Sequence, residues 1–359
     1  MGKNGFVINH SLVNVALIRA TYCDEDGNAT MDKEAATLDS LSIAQAAKNS
    51  GGIVLLQVEK VVQNGTLDPR KVKIPGIYVD GIVVSRPENH WQTYAGQYNP
   101  ALCGEVKVPV DSIAPMALNE RKIICRRAAM ELDPDAIINL GIGMPEGIAN
   151  VANEEGLPGL KLTVEAGGIG GVPMAGTAFG TCTNPDAIID QPYQFDFYDG
   201  GGLGQAFLGL AECDRFGNIN VSRFGPKIAG CGGFINITQT APVVVYCGTF
   251  TAGGLKISVE DGKLHILQEG RVKKFINDVE QITFAAEYAT QTGQKVMYIT
   301  ERAVFELLNG VLTLTEIAPG IDLEKDVLAH MEFKPVIAED LKEMDARLFA
   351  PEIMGLKEN

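Results

Sequence analysis

Short apolar runs alternate with amphipathic segments in the second part of the chain. Residues 121–132 (RKIICRRAAMEL) have the apolar spacing of a helix, and residues 145–156 (PEGIANVANEEG) predict another, with Pro145 in its first turn. The apolar runs at 135–140 and 160–165 predict buried strands. Short apolar strands between helices favour an α/β fold with open, mostly parallel sheets flanked by helices.

The same patterns continue to the end of the chain. Residues 241–248 predict a buried strand, and residues 295–300 and 311–317 predict two more. The segment between the last two, residues 301–308 (ERAVFELL), is predicted to form a short helix.

Two segments resemble each other at a constant offset of 190 residues. Residues 16–31 (ALIRATYCDEDGNATM) correspond to residues 206–221 (AFLGLAECDRFGNINV), and the apolar run at 53–58 corresponds to the run at 243–248. Both copies contain D-x-x-G-N, which is typical of a hairpin turn. Because the offset persists from the first segment to the apolar run, we expect two related domains.

The first copy is the shorter one. Two helices and two strands are predicted between residue 121 and Cys213, whereas only 22 residues precede Cys23. We therefore expect domains at 1–115 and 120–359, the first of them incomplete, with the proline-containing segment 98–120 between them. Either the chain is a fragment or another chain supplies the missing half.

Composition narrows the possible ligands and the location. The 359 residues include 30 Lys and Arg against 45 Asp and Glu, and the net charge of −15 disfavours binding to nucleic acid or to an anionic membrane. No apolar run approaches the roughly 18 residues of a membrane span. Seven scattered cysteines without a CxxC pair and four distant histidines predict reduced cytoplasmic thiols, with neither a disulfide framework nor a metal site.

Three glycine-rich turns carry the candidate chemistry. They are residues 141–147 (GIGMPEG), 165–171 (EAGGIGG) and 230–234 (GCGGF), the last preceded by 199–202 (DGGG). Two of the turns directly follow predicted strands. Because ligands of open parallel sheets bind beyond the carboxyl ends of the strands, we expect these turns to share one cleft.

Glu165, at the end of a predicted strand, has more than one interpretation. Gly141 and Gly143 before a helix, with an acid after the next strand, resemble a dinucleotide site and would indicate an oxidoreductase. The spacing is GxGxxxG, however, and Pro145 interrupts it. The glycines after Glu165 favour a carboxylate nucleophile, because residues without Cβ atoms let a bulky thioester approach. A purely structural acid that caps the turn is the remaining alternative.

Residues 126–359 resemble the C-terminal domain of class I CoA-transferases, and in detail the propionate/acetate CoA-transferase group. The segments that carry the resemblance are NLGIGMPEG, LTVEAGGIGG, NPDAIIDQPYQFDFYDGGG, CDRFGNINVSRFG and IAGCGGFINITQ. Residues 10–115 resemble the latter part of that family's N-terminal domain. The family's first half-domain has no counterpart in the chain, in agreement with the shorter first repeat.

The resemblance implies a ping-pong exchange of coenzyme A between a short-chain acyl-CoA and a free carboxylate such as acetate or propionate. The family's active-site glutamate falls on Glu165, which would form a glutamyl-CoA thioester. Coenzyme A is then substrate and covalent intermediate, and no metal or permanently bound cofactor is needed. A homo-oligomer, or a partner that supplies the missing half-domain, is expected.

Further site residues are predicted on the same basis. The candidates for oxyanion binding are the backbone amides around Ile142, Gly143, Gly232 and Gly233, and the candidates for CoA binding are Gly141, Gly167, Gly168, Gly202 and Asn218. For the glycines of the oxyanion candidates, a need for tight turns explains the sequence equally well. For Asn218 a role in the hairpin turn is favoured. His90 and Trp91 lie on a loop that lines either the cleft or the domain interface.

Two other functions stay open at this point. A nucleotide-binding oxidoreductase predicts cofactor absorbance and no covalent adduct. An inactive fragment or subunit predicts CoA binding without turnover until a partner half is added.

Overall fold

Two large sheets, each with its own buried apolar core, dominate the fold, and five smaller sheets of two or three strands accompany them among the described residues. The computed structural model describes residues 11–109, 115–157 and 159–358. Residues 1–10 of the predicted first domain and residues 110–114 of the predicted connection lie outside the described residues. The boundary between domains therefore stays a prediction, with one core on each side of it.

The smaller sheet is formed by strands that end before residue 85, and its three parallel strands run from the centre to one edge. Its elements are β1 (Val15–Asp24), β2 (Ala29–Thr30), α1 (Ser40–Asn49), β3 (Ile53–Val62), β4 (Val72–Ile74) and β5 (Gly81–Val84). The strand order is β4-β2-β1-β3-β5, in which β1, β3 and β5 are parallel and β2 and β4 are antiparallel. Helix α1 covers one face, where alternate residues of β1 and β3 are buried.

Ten of the strands after residue 120 form the larger sheet, and the others form small sheets of two or three strands. The elements from residue 120 onward are α2 (Glu120–Ala129), β6 (Ile137–Leu140), α3 (Glu146–Glu154), β7 (Lys161–Thr163), β8 (Gly168–Ile169), β9 (Val172–Pro173), β10 (Cys182–Thr183), β11 (Ala187–Ile188), α4 (Gln191–Asp199), β12 (Gln205–Gly209), β13 (Glu212–Asp214), β14 (Ile219–Asn220), β15 (Arg223–Phe224), β16 (Lys227–Ile228), α5 (Phe234–Thr240), β17 (Val243–Cys247), β18 (Thr251–Ala252), β19 (Lys256–Glu260), β20 (Lys263–Gln268), β21 (Val272–Lys273), β22 (Phe275–Ile276), α6 (Ala286–Thr292), β23 (Lys295–Ile299), β24 (Ala303–Leu308), β25 (Val311–Ile317) and β26 (Val336–Glu343).

The sheet order is β11-β8-β7-β6-β12-β17-β23-β24-β25-β26. Strands β7, β6, β12, β17 and β23 are parallel to one another, and antiparallel strands flank them on both sides. The predicted α/β fold is confirmed, as mixed sheets with parallel centres. Within the described ranges no helix combines the length and the apolarity needed to cross a membrane.

The repeat seen in the sequence is reproduced in the strand register. Strand β1 pairs with β3 so that Val15 faces Ile53, and β12 pairs with β17 so that Gln205 faces Val243. Each residue of the second pair lies 190 positions after its counterpart in the first. The two halves of the chain therefore share one strand–hairpin–helix–strand unit.

The D-x-x-G-N turns also match in atomic detail. Asp24 accepts hydrogen bonds from the backbone N–H of Asp26 and Asn28 and from Asn28 Nδ2, at 2.9–3.1 Å. Asp214 accepts the equivalent bonds from residues 216 and 218, at 2.9–3.0 Å. The glycine of each turn has a positive φ, 87° at Gly27 and 88° at Gly217, which residues with a Cβ rarely adopt.

The predicted helix at 301–308 is wrong, because residues 303–308 form strand β24. The strand pairs antiparallel with both β23 and β25. Asn309 and Gly310, with φ of 52° and 79°, form the turn between β24 and β25. An Asn-Gly pair between two apolar runs is a strong hairpin signal, and it outweighs the helical spacing of ERAVFELL.

The two large sheets differ in whether helices cover one of their faces. In the larger sheet Phe207 is fully buried on the side of α2, where its neighbour Gln205 donates to the Glu131 carbonyl just after that helix. The corresponding residue of the smaller sheet, Leu17, is 77% exposed. No described helix covers Leu17, because the chain before β1 holds no counterpart of α2 and α3 within the described residues.

Polar contacts join the smaller sheet to the larger one near a single loop. Thr37 Oγ1 donates to Asp190 Oδ1 at 2.6 Å, Lys73 Nζ lies 3.0 Å from the same oxygen, and the Gln191 N–H donates to the Leu38 carbonyl at 3.2 Å. This junction fixes residues 37–38 against residues 190–191, between β11 and α4.

Candidate active site

Glu165 lies in a tight turn at the carboxyl end of β7. The Gly167 N–H donates to the Val164 carbonyl, and the Val164 N–H donates to the Gly168 carbonyl, both at 2.9 Å. Glu165 and Ala166 are therefore the two central residues of the turn into β8. Because β7 belongs to the parallel centre of the sheet, the carboxyl group is presented where open sheets bind ligands.

A cavity of about 310 Å³ lies against the Glu165 side chain. It is lined by Gly141, Ile142, Glu165, Leu208, Gly209, Val221, Ala229, Gly230, Cys231, Gly232, Gly233, Phe234 and Ile237. All three glycine-rich turns contribute, so the structure places them around one cleft as the sequence predicts. Glu165 is the one charged residue among those that line it. We call this the Glu165 cavity.

The carboxylate of Glu165 is half-buried and lacks partners. It accepts no hydrogen bond and forms no ion pair within the described part of the chain. Burial raises the pKa of the Glu165 carboxyl above its ordinary value, since desolvation disfavours the charged form. A strand-end acid that caps a turn would accept backbone N–H bonds, so the capping alternative has no support in this geometry.

Gly233 is required by its distance to the carboxylate. A Cβ atom added to Gly233 would lie 2.7 Å from Glu165 Oε2 and 2.7 Å from Phe195 Cζ, closer than carbon atoms normally approach. The absence of a side chain at this position therefore leaves room for the Glu165 carboxylate beside the cavity.

Three of the predicted oxyanion donors have free backbone amides. The N–H groups of Ile142, Gly232 and Gly233 donate to no acceptor among the described residues. Gly141 also lines the cavity, but its N–H donates to the Phe207 carbonyl at 2.8 Å. The cavity thus offers unpaired N–H donors and a single unpaired carboxylate.

The first two glycines that follow Glu165 are in close contact with neighbouring segments. Gly167, with φ of 112°, packs against the Ile189 carbonyl, and a Cβ on Gly168 would lie 2.8 Å from Cys182 Sγ. Neither lines the Glu165 cavity. These glycines let the turn pack against the segment 182–189, and their predicted part in CoA binding stays a prediction.

Three other predicted residues lie away from the cavity. Gly143 is exposed, and its carbonyl accepts a bond from Arg121 Nη2 at 2.7 Å. Gly202 packs against the Phe197 ring. Asn218 has both amide atoms occupied, since Nδ2 donates to Asp214 and Oδ1 accepts from the Ala286 N–H at 2.9 Å. The favoured hairpin role of Asn218 agrees with this geometry, and its role in CoA binding has no support from it.

The position of Cys231 and the second cavity were not foreseen, although Trp91 was expected at the cleft or at the domain interface. Cys231 is the exposed cysteine of the described residues and lines the Glu165 cavity. Ala166 lines a second cavity, which Trp91 and Phe179 also line, whereas His90 is buried near Arg19. The GCGGF segment indicated an open turn at Cys231. Nothing in the sequence placed residues 91 and 179 together.

Known proteins resemble the chain over nearly its whole length. A family model described as Coenzyme A transferase matches residues 1–85. The chain is 48% identical over 351 residues to caffeate CoA-transferase of Acetobacterium woodii, across 96% of this chain and 67% of that protein. It is 48% identical to acetate CoA-transferase YdiF of Escherichia coli K12, across 95% of this chain and 64% of that protein.

A solved structure shows the same arrangement. The acyl-CoA transferase YdiF from E. coli O157:H7, described as a thioester complex with CoA, superposes with a TM-score of 0.88 at 48% identity, across 95% of this chain and 64% of that one. The chain thus spans about two thirds of the length of these relatives. They give no support to the oxidoreductase alternative. The resemblance inferred from the glycine-rich turns is confirmed, and the chain belongs to the CoA-transferase family.

Proposed function

We propose that this protein exchanges coenzyme A between an acyl-CoA and a free monocarboxylate, with Glu165 as the covalent carrier. One observation carries the proposal: an unpaired, half-buried carboxylate lines a cavity that also presents unpaired backbone amides. A carboxylate is a competent nucleophile, and in its deprotonated form it needs no general base.

The proposed reaction proceeds through two acyl intermediates. An oxygen of Glu165 attacks the carbonyl carbon of the acyl-CoA, the C–S bond breaks, and CoA leaves as the thiolate. The thiolate then attacks the glutamyl carbonyl carbon of the resulting anhydride and releases the first carboxylate. A second carboxylate reverses both steps, so that Glu165 is regenerated and no proton is gained or lost overall.

The amides of Ile142, Gly232 and Gly233 are proposed to stabilise the oxyanion that forms in each attack. Positioned N–H donors of this kind contribute about 3–4 kcal/mol each in hydrolases. Among the described residues no charged group other than Glu165 lines the cavity, so backbone dipoles are the donors that they offer there. The largely apolar lining from Leu208, Val221 and Phe234 would keep water from the anhydride and the thioester.

The substrates and the setting are part of the proposal. The relatives are named for acetate and for caffeate, and the sequence motifs favour short acids such as acetate and propionate as one of the exchanging pair. Coenzyme A acts as substrate and intermediate, without a permanently bound cofactor. A cytoplasmic location and the two domains at 1–115 and 120–359 are proposed with it.

A partner half is also proposed, on the basis of the repeat. Val15, Leu17 and Ile53 form an exposed apolar patch on the smaller sheet. Helices α2 and α3 cover the corresponding face of the larger sheet. Contiguous apolar surface of this kind marks an interaction site. The polypeptide expected to cover it resembles residues 119–163. The alternative is that a second copy of this chain covers the patch, which a measurement of the oligomeric state would show.

The activity is tested by incubating the protein with propionyl-CoA and acetate and measuring acetyl-CoA by chromatography. We expect acetyl-CoA to form with ping-pong kinetics, and Glu165→Ala to abolish its formation. If turnover appears only after a polypeptide carrying the partner half is added, the chain is one part of a two-part enzyme and is inactive alone. No exchange under either condition would overturn the proposal.

A further inference from the structure

A second cavity, of about 400 Å³, adjoins the turn that carries Glu165. It lies between the smaller sheet and the larger one and is lined by Ala35, Ala36, Leu38, Trp91, Gln92, Thr93, Tyr94, Ala166, Thr177, Phe179, Gly180 and Thr181. We call it the interface cavity. Glu165 lines one cavity and its neighbour Ala166 lines the other, so both cavities adjoin the turn that carries the carboxylate.

The interface cavity is held by packed and hydrogen-bonded elements. Ala36 packs against the buried cluster of Val164, Ala166 and Cys182 behind the turn. The contacts of Thr37 and Leu38 with residues 189–191 fix the same segment of the smaller sheet. These contacts hold the side of the cavity that residues 36–38 and Ala166 form.

The lining is uncharged and combines aromatic surface with four neutral polar side chains, Gln92, Thr93, Thr177 and Thr181. Trp91 and Phe179 supply aromatic surface, Tyr94 lies exposed at the rim, and Leu38 adds aliphatic surface. The polar edge of Trp91 is occupied, because Nε1 donates to the Glu88 carbonyl at 2.9 Å. Among the described residues that line the cavity there is no Lys, Arg, His, Asp or Glu.

Size and charge together define the ligand. An apolar cavity of about 150 Å³ holds one benzene molecule, so the interface cavity has room for an aromatic ring and its linker. An acetyl group would leave most of it to water. A second carboxylate would lie in the cavity without a cation, which is costly.

We propose that the interface cavity is an acyl subsite for monocarboxylates with an aromatic acyl group, and that it discriminates against dicarboxylates. This inference rests on the proposed CoA exchange at Glu165. Short acids enter the same subsite but contact less of it. A phenyl ring two carbons from the carboxyl group would reach the surfaces of Trp91 and Phe179.

Binding can be measured without turnover, because Trp91 is the single tryptophan of the chain. The wild-type protein is titrated with 3-phenylpropanoate, and with propanoate and glutarate for comparison, while tryptophan emission is followed. We expect a saturable change with 3-phenylpropanoate at concentrations at least about tenfold below those needed for the other two, in line with the selectivity of apolar pockets. Equal responses to all three acids, or none to 3-phenylpropanoate, would overturn the proposal.

A matched pair of variants locates the effect. Thr177 is exposed and lines the cavity, so Thr177→Phe fills part of it while Trp91 stays the single tryptophan. Thr66→Phe makes the same change at an exposed position that does not line the cavity. We expect Thr177→Phe to weaken 3-phenylpropanoate binding about tenfold and Thr66→Phe to leave it unchanged. The same response from both variants would exclude the interface cavity as the site.

The exchange assay separates this inference from the proposed function. We expect kcat/KM for 3-phenylpropanoate to exceed that for acetate by about 100-fold, and the ratio to fall in Thr177→Phe. Exchange with acetate but not with 3-phenylpropanoate would overturn the aromatic subsite and leave the transferase proposal intact. Absence of exchange with every acid would overturn the transferase proposal, and the fluorescence titration would still decide whether the cavity binds an aromatic acid.

Discussion

The two repeated halves of the chain share a scaffold and differ in what the scaffold carries. Both contain a parallel strand pair in the same register, and both contain an Asp that accepts three hydrogen bonds in a hairpin turn. The halves diverge at the start of the helix between the two strands. In the first half α1 begins at Ser40, and in the second half the corresponding residue is Gly230, four residues before α5 begins.

This difference shows how a site can be opened within a common fold. Gly232 and Gly233 correspond to Ser42 and Ile43, which belong to the first turn of α1. In the second half that turn is replaced by a glycine segment in which the amides of Gly232 and Gly233 are free among the described residues and Gly233 lies beside Glu165. The shared strands and hairpin thus supply stability, and the loop at the strand ends supplies the chemistry.

The largest expected contrast is between Phe207 and its counterpart Leu17. Phe207→Ala removes a fully buried ring and should cost about 3–5 kcal/mol of unfolding free energy. Leu17→Ala removes a side chain that is 77% exposed and should change stability by less than about 0.5 kcal/mol. Urea denaturation of both variants checks the contrast. A comparable loss at Leu17 would show that another layer covers the smaller sheet in solution.

The next contrast concerns neighbouring glycines of the open loop. Gly233→Ala places a methyl group 2.7 Å from Glu165 Oε2 and should lower kcat/KM for CoA exchange by about 100-fold, which is close to 3 kcal/mol. Gly232→Ala meets open space at a φ of 51° and should cost roughly 1–2 kcal/mol of stability with a much smaller loss of activity. Both variants keep the backbone N–H. Equal activities would show that the carboxylate does not need the space beside Gly233.

The hairpins should respond alike, because they are built alike. Asp214→Ala and Asp24→Ala each leave backbone N–H groups without an acceptor in a buried turn, and each should cost about 1–3 kcal/mol. Asp26→Ala, at an exposed position of the first turn, serves as the control and should change stability by less than about 0.5 kcal/mol. Thermal denaturation that separated the two buried variants by several kcal/mol would contradict the equivalence of the halves.

The smallest expected effect concerns the stability that the protein loses by burying the charged Glu165 carboxylate. The pKa of Glu165 is raised in the folded state, so the wild-type protein loses stability as pH rises from the ordinary glutamate range through the raised value. Glu165→Gln should therefore be more stable than wild type at pH 7, by about 1 kcal/mol, and the difference should vanish in acid. Melting temperatures across this pH range check the sign. A wild type that is more stable at pH 7 would mean that the carboxylate has a partner.

Much of the fold follows from local patterns in the sequence. The apolar runs that became β6, β7, β17, β23 and β25 are short and bounded by turns, and the spacing of α2 and α3 is helical. The repeat was visible because the Asp, Gly and Asn of the turn are each demanded by a specific hydrogen bond or φ. The segment at 301–308 was misassigned because its apolar spacing fits a helix, and the Asn-Gly turn that decides the matter lies just beyond it.

The site was predictable only in part. Glu165, Gly232 and Gly233 lie in turns whose composition signals an unusual backbone, so the sequence points to them directly. Gly167 and Gly168 have the same composition but serve packing against residues 182–189, a distinction that depends on long-range contacts. The interface cavity depends on the docking of two sheets, and apolar residues such as Phe179 cannot be distinguished from core residues by sequence pattern.

The most direct test of the account is the identity of the covalent adduct formed with propionyl-CoA. Intact-mass analysis should show a population heavier by CoA less water, and borohydride should convert the thioester to an alcohol that peptide mapping places at residue 165. Glu165→Ala should form no such adduct. A propionyl group on Cys231, the exposed thiol in the same cavity, or a wild-type mass that stays unchanged, would contradict the assignment of Glu165 as the carrier.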